Sequence, residues 1–305
     1  MFRPTLATLT LLFLALLIGG CEKDIPLAQR VIPSEVDESL REQNRKLIFD
    51  RAYNFRELGG IRSADGRAIH WGKLYRSSNL SMLSDTDQLF LEKLNIRRVV
   101  DFRLDDELTS KGYDKVRPDS GIRLIRMPIG DEKELKYTRD SMLSGEFHET
   151  DARELLKAEY RLYIKKFTPV LREWAHSLLV EENYPMVFHC STGKDRTGVA
   201  AALVLLMLDV PMNRVMEDYL DTNRFTKDWV YFEIGTMKTI GMVGKIDMDA
   251  VRVLYGAEKE YIEAAFAVMR DQYGSIDNYI EQGLQINEQD REKLKSILLS
   301  SQTTH

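Results

Sequence analysis

An α/β fold, with a central, mostly parallel sheet flanked by helices and extra helices at the C-terminal end, is what this 305-residue sequence predicts. Three observations carry that expectation. Short apolar strands alternate with helical segments between residues 53 and 208. A glycine-containing loop follows the C-terminal end of one strand and leads directly into a helix. Beyond Pro211 the pattern is almost wholly helical.

Taken in order, Met1 to Cys21 reads as an export signal. Arg3 supplies the positive start, Leu6 to Ile18 is mostly apolar, and Ile18-Gly19-Gly20-Cys21 closes it with small residues. The stretch is short for a membrane span of ~20 residues. Small residues before a cysteine resemble a bacterial lipobox, which implies cleavage ahead of Cys21 and lipidation there. Residues 1–20 are thus expected to be a lipoprotein signal and residues 21–50 a polar tether; 51–301 form the folded domain. From Tyr53 to Ser77 strand signals alternate with turns at Gly59-Gly60 and Asp65-Gly66. Ser84 or Asp85 caps a helix carrying Leu89, Phe90, Leu91 and Leu94. Strands follow at Ile96–Phe102 and Ile122–Ile129. Gly130 to Thr150 is charged and reads as a mobile loop. Asp151 to Glu182 has helical periodicity that Pro169 is expected to kink or divide. Pro185–Cys190 is a strand, Gly193–Leu208 a helix, and Pro211 opens another reaching about Phe225.

The chemistry concentrates in Val187-Phe-His-Cys-Ser-Thr-Gly-Lys-Asp-Arg-Thr-Gly-Val199. A turn ahead of a helix points successive peptide N–H groups into one concavity, and the helix dipole favours an anion there. The amides of Ser191, Thr192, Gly193 and Lys194 belong to that cradle. Arg196 adds a planar fork able to grip two oxygens of a tetrahedral oxyanion. The same positive field favours the thiolate of Cys190, the form in which cysteine attacks. Thr197 is close enough in sequence to hydrogen bond with it. A nucleotide P-loop is excluded, because that motif needs glycine at Phe188 and a hydroxyl residue at Asp195.

His189-Cys190-x5-Arg196-Thr197 resembles the signature of cysteine-dependent phosphatases. The longer His-Cys-Ser-Thr-Gly-Lys-Asp-Arg-Thr-Gly run is similar to that of bacterial tyrosine phosphatases that also act on phosphoinositides. Asn54-Phe-Arg-Glu-Leu-Gly-Gly60 resembles their N-terminal box, and Tyr273-Gly-Ser-Ile-Asp-Asn-Tyr-Ile280 their C-terminal helix. The resemblance implies a protein-tyrosine-phosphatase-like fold over about residues 50–300. It also implies hydrolysis of phosphate monoesters through a cysteinyl-phosphate. Catalytic roles then fall to Cys190, Arg196 and Asp195, and substrate binding to Ser191, Thr192, Gly193, Lys194 and Thr197. In that family, and in phosphoinositide phosphatases with a similar Asp-Arg pair, the in-loop Asp is the acid. Rivals for that proton are Asp131, after the second strand, and Asp101, at the end of the first. A catalytically silent phosphate-binding module is the alternative, but a binder has no use for the thiol.

Lys194 suits a substrate with a second phosphate, such as a phosphoinositide, and Arg56, Arg76 and Arg103 at strand ends are candidates to line the mouth. The five histidines show no paired ligand spacing, so no metal and no cofactor are expected. Only two cysteines are present, Cys21 for lipid and Cys190 for chemistry, which leaves no disulfide to expect. The formal charge is −5, and loss of Arg3 with the signal makes it −6; an acidic chain is a poor electrostatic binder of nucleic acid. The expected partners are a phosphorylated protein or phosphoinositide, and the membrane through Cys21. The expected location is outside the cytosol of a bacterium.

Overall fold

The computed structural model describes residues 24–241 and 246–301, and Cys21 with its export segment lies outside the described residues. Fourteen elements position the site. In chain order they are β1 (Arg56–Glu57), β2 (Leu74–Ser77), α1 (Asp85–Lys93), β3 (Arg98–Asp101), α2 (Asp105–Lys111), β4 (Arg123–Arg126), α3 (Glu132–Ser144) and α4 (Glu149–Ser177). Then come β5 (Met186–His189), α5 (Asp195–Met207), α6 (Met212–Gly241), α7 (Met248–Tyr255), α8 (Lys259–Tyr273) and α9 (Glu288–Leu298).

The sheet runs in the order β1-β2-β5-β3-β4, with β1 antiparallel to β2 and the other pairs parallel. β5 is central: Val187 sits opposite Tyr75 of β2 and Val99 of β3. Being covered on both faces, β5 reads as a continuous apolar run, and all four of its residues are buried. α5 is apolar nearly all round (Val199-Ala-Ala-Ala-Leu-Val-Leu-Leu-Met207), which suits a helix enclosed in the core. Around it pack α4 and α8 with Tyr160, Leu171, Trp174, Tyr261 and Phe266. The opposite face of the sheet holds a smaller cluster of Leu47, Phe49, Phe55, Tyr75, Phe90, Val99 and Val187.

The structure changes four expectations. Residues 24–50 are not a free tether. Arg30 is buried, bonded to Asp50 at 2.5 Å and Asp87 at 2.6 Å, and Ile32, Leu47 and Phe49 join the smaller cluster. A polar composition concealed a segment whose charge is paired inside. The expected mobile loop at 130–150 contains α3. Asp131 caps it by accepting from Lys133 N at 2.9 Å, and Gly145, in the left-handed region, ends it. Only Thr138 of that helix is buried, so it had no apolar stripe to betray it. α4 continues through Pro169 undivided. α6 runs sixteen residues past Phe225. The capping box at Ser84 with Asp87 matches the expectation.

Candidate active site

The catalytic loop leaves the C-terminal end of β5, and its backbone is tied from behind. His189 Nδ1 lies 3.2 Å from Cys190 O, and Ser191 O accepts from Tyr53 Oη at 3.2 Å and Asn79 Nδ2 at 3.3 Å. Asn54 Nδ2 donates to Thr192 O at 3.1 Å and Gly193 O at 2.9 Å; Arg76 Nη2 also reaches Gly193 O, at 2.8 Å. Four successive carbonyls are therefore held outward. That leaves the amides of Ser191–Lys194 facing the concave side, and none of them donates to an acceptor among the described residues. The result is an anion nest at the N-terminus of α5.

Gly193 is required twice over. Its φ is +68°, and a Cβ there would lie 2.3 Å from Ser77 O. Asn54 takes a left-handed φ of 57° while fully buried, a conformation asparagine tolerates better than most residues. Beside it, any Cβ at Gly60 would meet the Trp71 ring at 2.5 Å.

Asp218 of α6 holds this scaffold from below. It pairs with Arg56 at 3.1 Å and Arg76 at 2.5 Å, and Arg56 in turn bonds Asn54. Burial opposes its charge, but the two guanidiniums hold the carboxyl down at about 2. Arg56, Arg76 and Arg103 thus do not line the mouth. All three are fully buried, and Arg103 is forked onto Asp101 at 2.9 Å and Asp114 at 2.6 Å. Asp101 is consumed by that ion pair, which removes it as a proton donor. Asp101, Asp114 and His189 lie close enough to share a cation, and the Arg103 guanidinium already serves as one.

Cys190 is wholly buried at the base of the nest. Burial works against a thiolate, yet the Arg196 charge and the hydroxyl and amide of Thr197 outweigh it and hold the thiol below its ordinary value. Thr197 Oγ1 has no oxygen or nitrogen partner among the described residues, which leaves its hydrogen for the sulfur. Arg196 is clamped by Glu107 at 2.5 and 2.8 Å and reaches the carbonyls of Phe102 and Ile129. Its Nε is buried and unpartnered, a donor left over for an incoming oxyanion. Burial resists charge on Glu107, but Arg196 drives its carboxyl well below the usual range, and Ser191 Oγ also donates to it at 2.5 Å.

Asp195 opens α5. Its Oδ1 accepts from Tyr160 Oη at 3.0 Å, and Tyr160 is itself 2.7 Å from Tyr219 Oη. Lys194 is a correction. It is buried rather than solvated, and its ammonium donates to Leu254 O at 2.6 Å and Gly256 O at 2.8 Å, with Asp195 Oδ1 at 3.3 Å. Those contacts use its three donors, leaving none for a second phosphate. Asp131 is half-buried and caps α3.

Sequence reasoning missed Glu107, Asp218, Asn79, Tyr53 and Glu159. Glu159 receives the Tyr163 hydroxyl at 2.9 Å, and burial, then the charge of Asp195, pushes it up to about 7. None lies within five residues of the signature loop, whereas Asn54 and Arg56 stand in the N-terminal box that the sequence does mark.

The sequence model of the tyrosine phosphatase family matches residues 47–300. The chain belongs to that family. A Cupriavidus necator protein, named provisionally as a tyrosine-protein phosphatase, is 26% identical over 263 residues, covering 85% of this chain and 92% of that one. The triple specificity protein phosphatase PtpB of Mycobacterium tuberculosis is 25% identical, covering 75% of this chain and 90% of its own. Among solved structures, the core catalytic domain of the PP-IP phosphatase Siw14 of S. cerevisiae covers 72% of this phosphatase and 92% of its own chain, at 14% identity and a TM-score of 0.32. This phosphatase is accordingly a hydrolase, with the nest around Cys190 as its candidate centre.

Proposed function

We propose that this phosphatase cleaves phosphate monoesters through a cysteinyl-phosphate intermediate. Arg196 and the amides of Ser191–Lys194 would hold the phosphate and Asp195 would act as acid, then base. One observation carries the reading: a buried thiol held below its ordinary value by Arg196 and Thr197 lies in a ring of amides, beside an Arg196 Nε, that have no partner among the described residues. The Cys190 sulfur attacks phosphorus, the phosphorus–oxygen bond to the leaving group breaks, and the Asp195 carboxyl gives that oxygen its proton. Water then attacks phosphorus, its proton passes to Asp195, and the sulfur–phosphorus bond breaks to restore the thiolate. Developing negative charge on the equatorial oxygens falls toward donors fixed in advance.

The substrates proposed are phosphotyrosine and phosphoinositide monoesters, in keeping with the multiple specificity in the PtpB name. Cys21 is proposed to be lipidated and to hold the enzyme at a membrane surface outside the cytosol, a reading supported by the export signal alone.

Hydrolysis of a small aryl phosphate, compared with Cys190→Ser, tests the core of this. Wild type as inactive as the variant, while still binding phosphate, would leave only a binding module. For the proton donor, Asp195→Asn is expected to lower turnover about 100-fold and abolish the decline in kcat as pH rises. Should Glu159→Gln produce that change instead, the proton comes from Glu159.

A further inference from the structure

Among the described residues the six most exposed large apolar side chains, Tyr231, Tyr113, Phe232, Tyr137, Leu143 and Met82, are between 57% and 74% exposed. Met82, Tyr113, Tyr137 and Leu143 lie on segments that follow the carboxyl ends of strands, the end that carries the catalytic loop, and Tyr231 and Phe232 of α6 are tied to that end through Trp229. Met82 is in the loop after β2. Tyr113 adjoins that loop, since Asp114 accepts from Leu80 N at 3.2 Å. Tyr137 and Leu143 are on α3, whose start is three residues beyond Ile129, itself bonded to Arg196. Tyr231 and Phe232 follow Trp229, which stacks on Tyr53 at 3.8 Å, and Tyr53 bonds Ser191 of the nest. Scattered exposed apolar residues need no explanation; the most exposed ones gathered at one end of a sheet do.

Three further observations select the occupant. A cleft of about 510 Å³ runs between α6 and α7 beside Tyr231, and its walls include Lys227, Lys238 and Arg252 but no carboxylate. Lys227 and Lys238 make no ion pair among the described residues, in a chain whose net charge is −5. Finally, Ile25 N is bonded to Asp50 at 2.9 Å, three residues before Tyr53. Cys21 stands only four residues before Ile25, at most about 14 Å of extended chain. The described chain therefore begins on the segment that leads through Asp50 to Tyr53, whose hydroxyl bonds Ser191 of the nest.

We infer that the carboxyl-end rim, centred on Tyr231 and Phe232 of α6 with the Lys227–Lys238 cleft, is a docking face for an anionic bilayer. Aromatic side chains settle at headgroup depth and the cleft cations meet lipid phosphates. Docked this way, the Cys190 nest opens onto the membrane. The inference rests on the proposed anchoring for its orientation, and on the described residues for the face itself.

The test uses the full chain reconstituted in phosphatidylcholine vesicles with and without phosphatidylinositol, a lipid that carries no phosphate monoester. Amide hydrogen exchange over residues 226–238 is expected to slow at least about fivefold when phosphatidylinositol is present. Tyr231→Ser/Phe232→Ser should erase that protection while turnover of a soluble aryl phosphate stays within about twofold of wild type. Equal exchange in both vesicles overturns the proposal, as does aryl phosphate turnover that collapses with the double substitution. Protection that tracks protein concentration without vesicles assigns the face to a second copy. Protection without hydrolysis of lipid phosphomonoesters leaves the docking face standing and sinks the phosphoinositide substrate.

Discussion

Two stretches meet at the mouth of the site and are built in opposite ways. From Cys190 to Gly193 each backbone carbonyl is bonded from behind, by the buried Asn54, Arg76 and His189 and the half-buried Tyr53 and Asn79. The outer half of α6 offers Tyr231 and Phe232 to solvent and leaves two lysines without an ion pair among the described residues. The first arrangement suits chemistry, in which donors must already be in place when charge develops. The second suits contact with a surface, where fixed geometry matters less than area and charge. Substitutions in the nest should accordingly be felt in turnover on every substrate, and those on the rim only where the substrate comes with a surface.

The largest effect is expected at Arg196. Arg196→Lys loses the planar fork and should lower kcat/KM for an aryl phosphate about 1,000-fold. Asp218→Asn comes next, because it leaves Arg56 and Arg76 buried without their counter-charge. Thermal unfolding should show a loss of about 3–5 kcal/mol, and kcat should fall about tenfold as the Asn54 and Arg76 ties loosen. A near-normal kcat would mean the nest is rigid without α6.

The thiol can be read directly by alkylation. Its midpoint should lie below the ordinary 9.0, and Thr197→Ala should move it upward. His189 tests the scaffold through stability. Burial opposes its charge, but Asp114 and Asp101 outweigh this and push the imidazole up to about 9, from 6.5. With the folded value above the unfolded one, the stabilisation is complete below pH 6.5 and is lost as pH climbs to about 9. His189→Asn should flatten that window, by on the order of 2–3 kcal/mol across it in pH-dependent denaturation. The smallest effect is expected on the rim. Tyr231→Ser/Phe232→Ser should alter kcat/KM on a soluble aryl phosphate less than about twofold, a null result that gives the contrast its meaning.

The strands, the Ser84 cap, the buried α5 and the signature loop were legible because each leaves a local trace: an apolar run, a capping pair, glycines at fixed spacing. α3 was not, since a helix with one buried residue has no periodicity to read. The packed segment after Asp24 was missed for a related reason. Arg30 looks like a surface charge until Asp50 and Asp87 are brought to it. Lys194 misled in the same way, because its carbonyl partners at Leu254 and Gly256 are sixty residues distant.

By itself the sequence determined the fold class, the nucleophile and the phosphate-binding loop, since a strand, a turn and a helix start lie within one continuous stretch. Which groups hold that loop in shape, and which way its mouth faces, only the tertiary structure decided. Glu107 on Arg196, Asp218 beneath Arg56 and Arg76, and Asp114 on His189 all arrive from other elements. A buried charge is stable only beside its partner, and pairings across the fold leave no mark in local sequence.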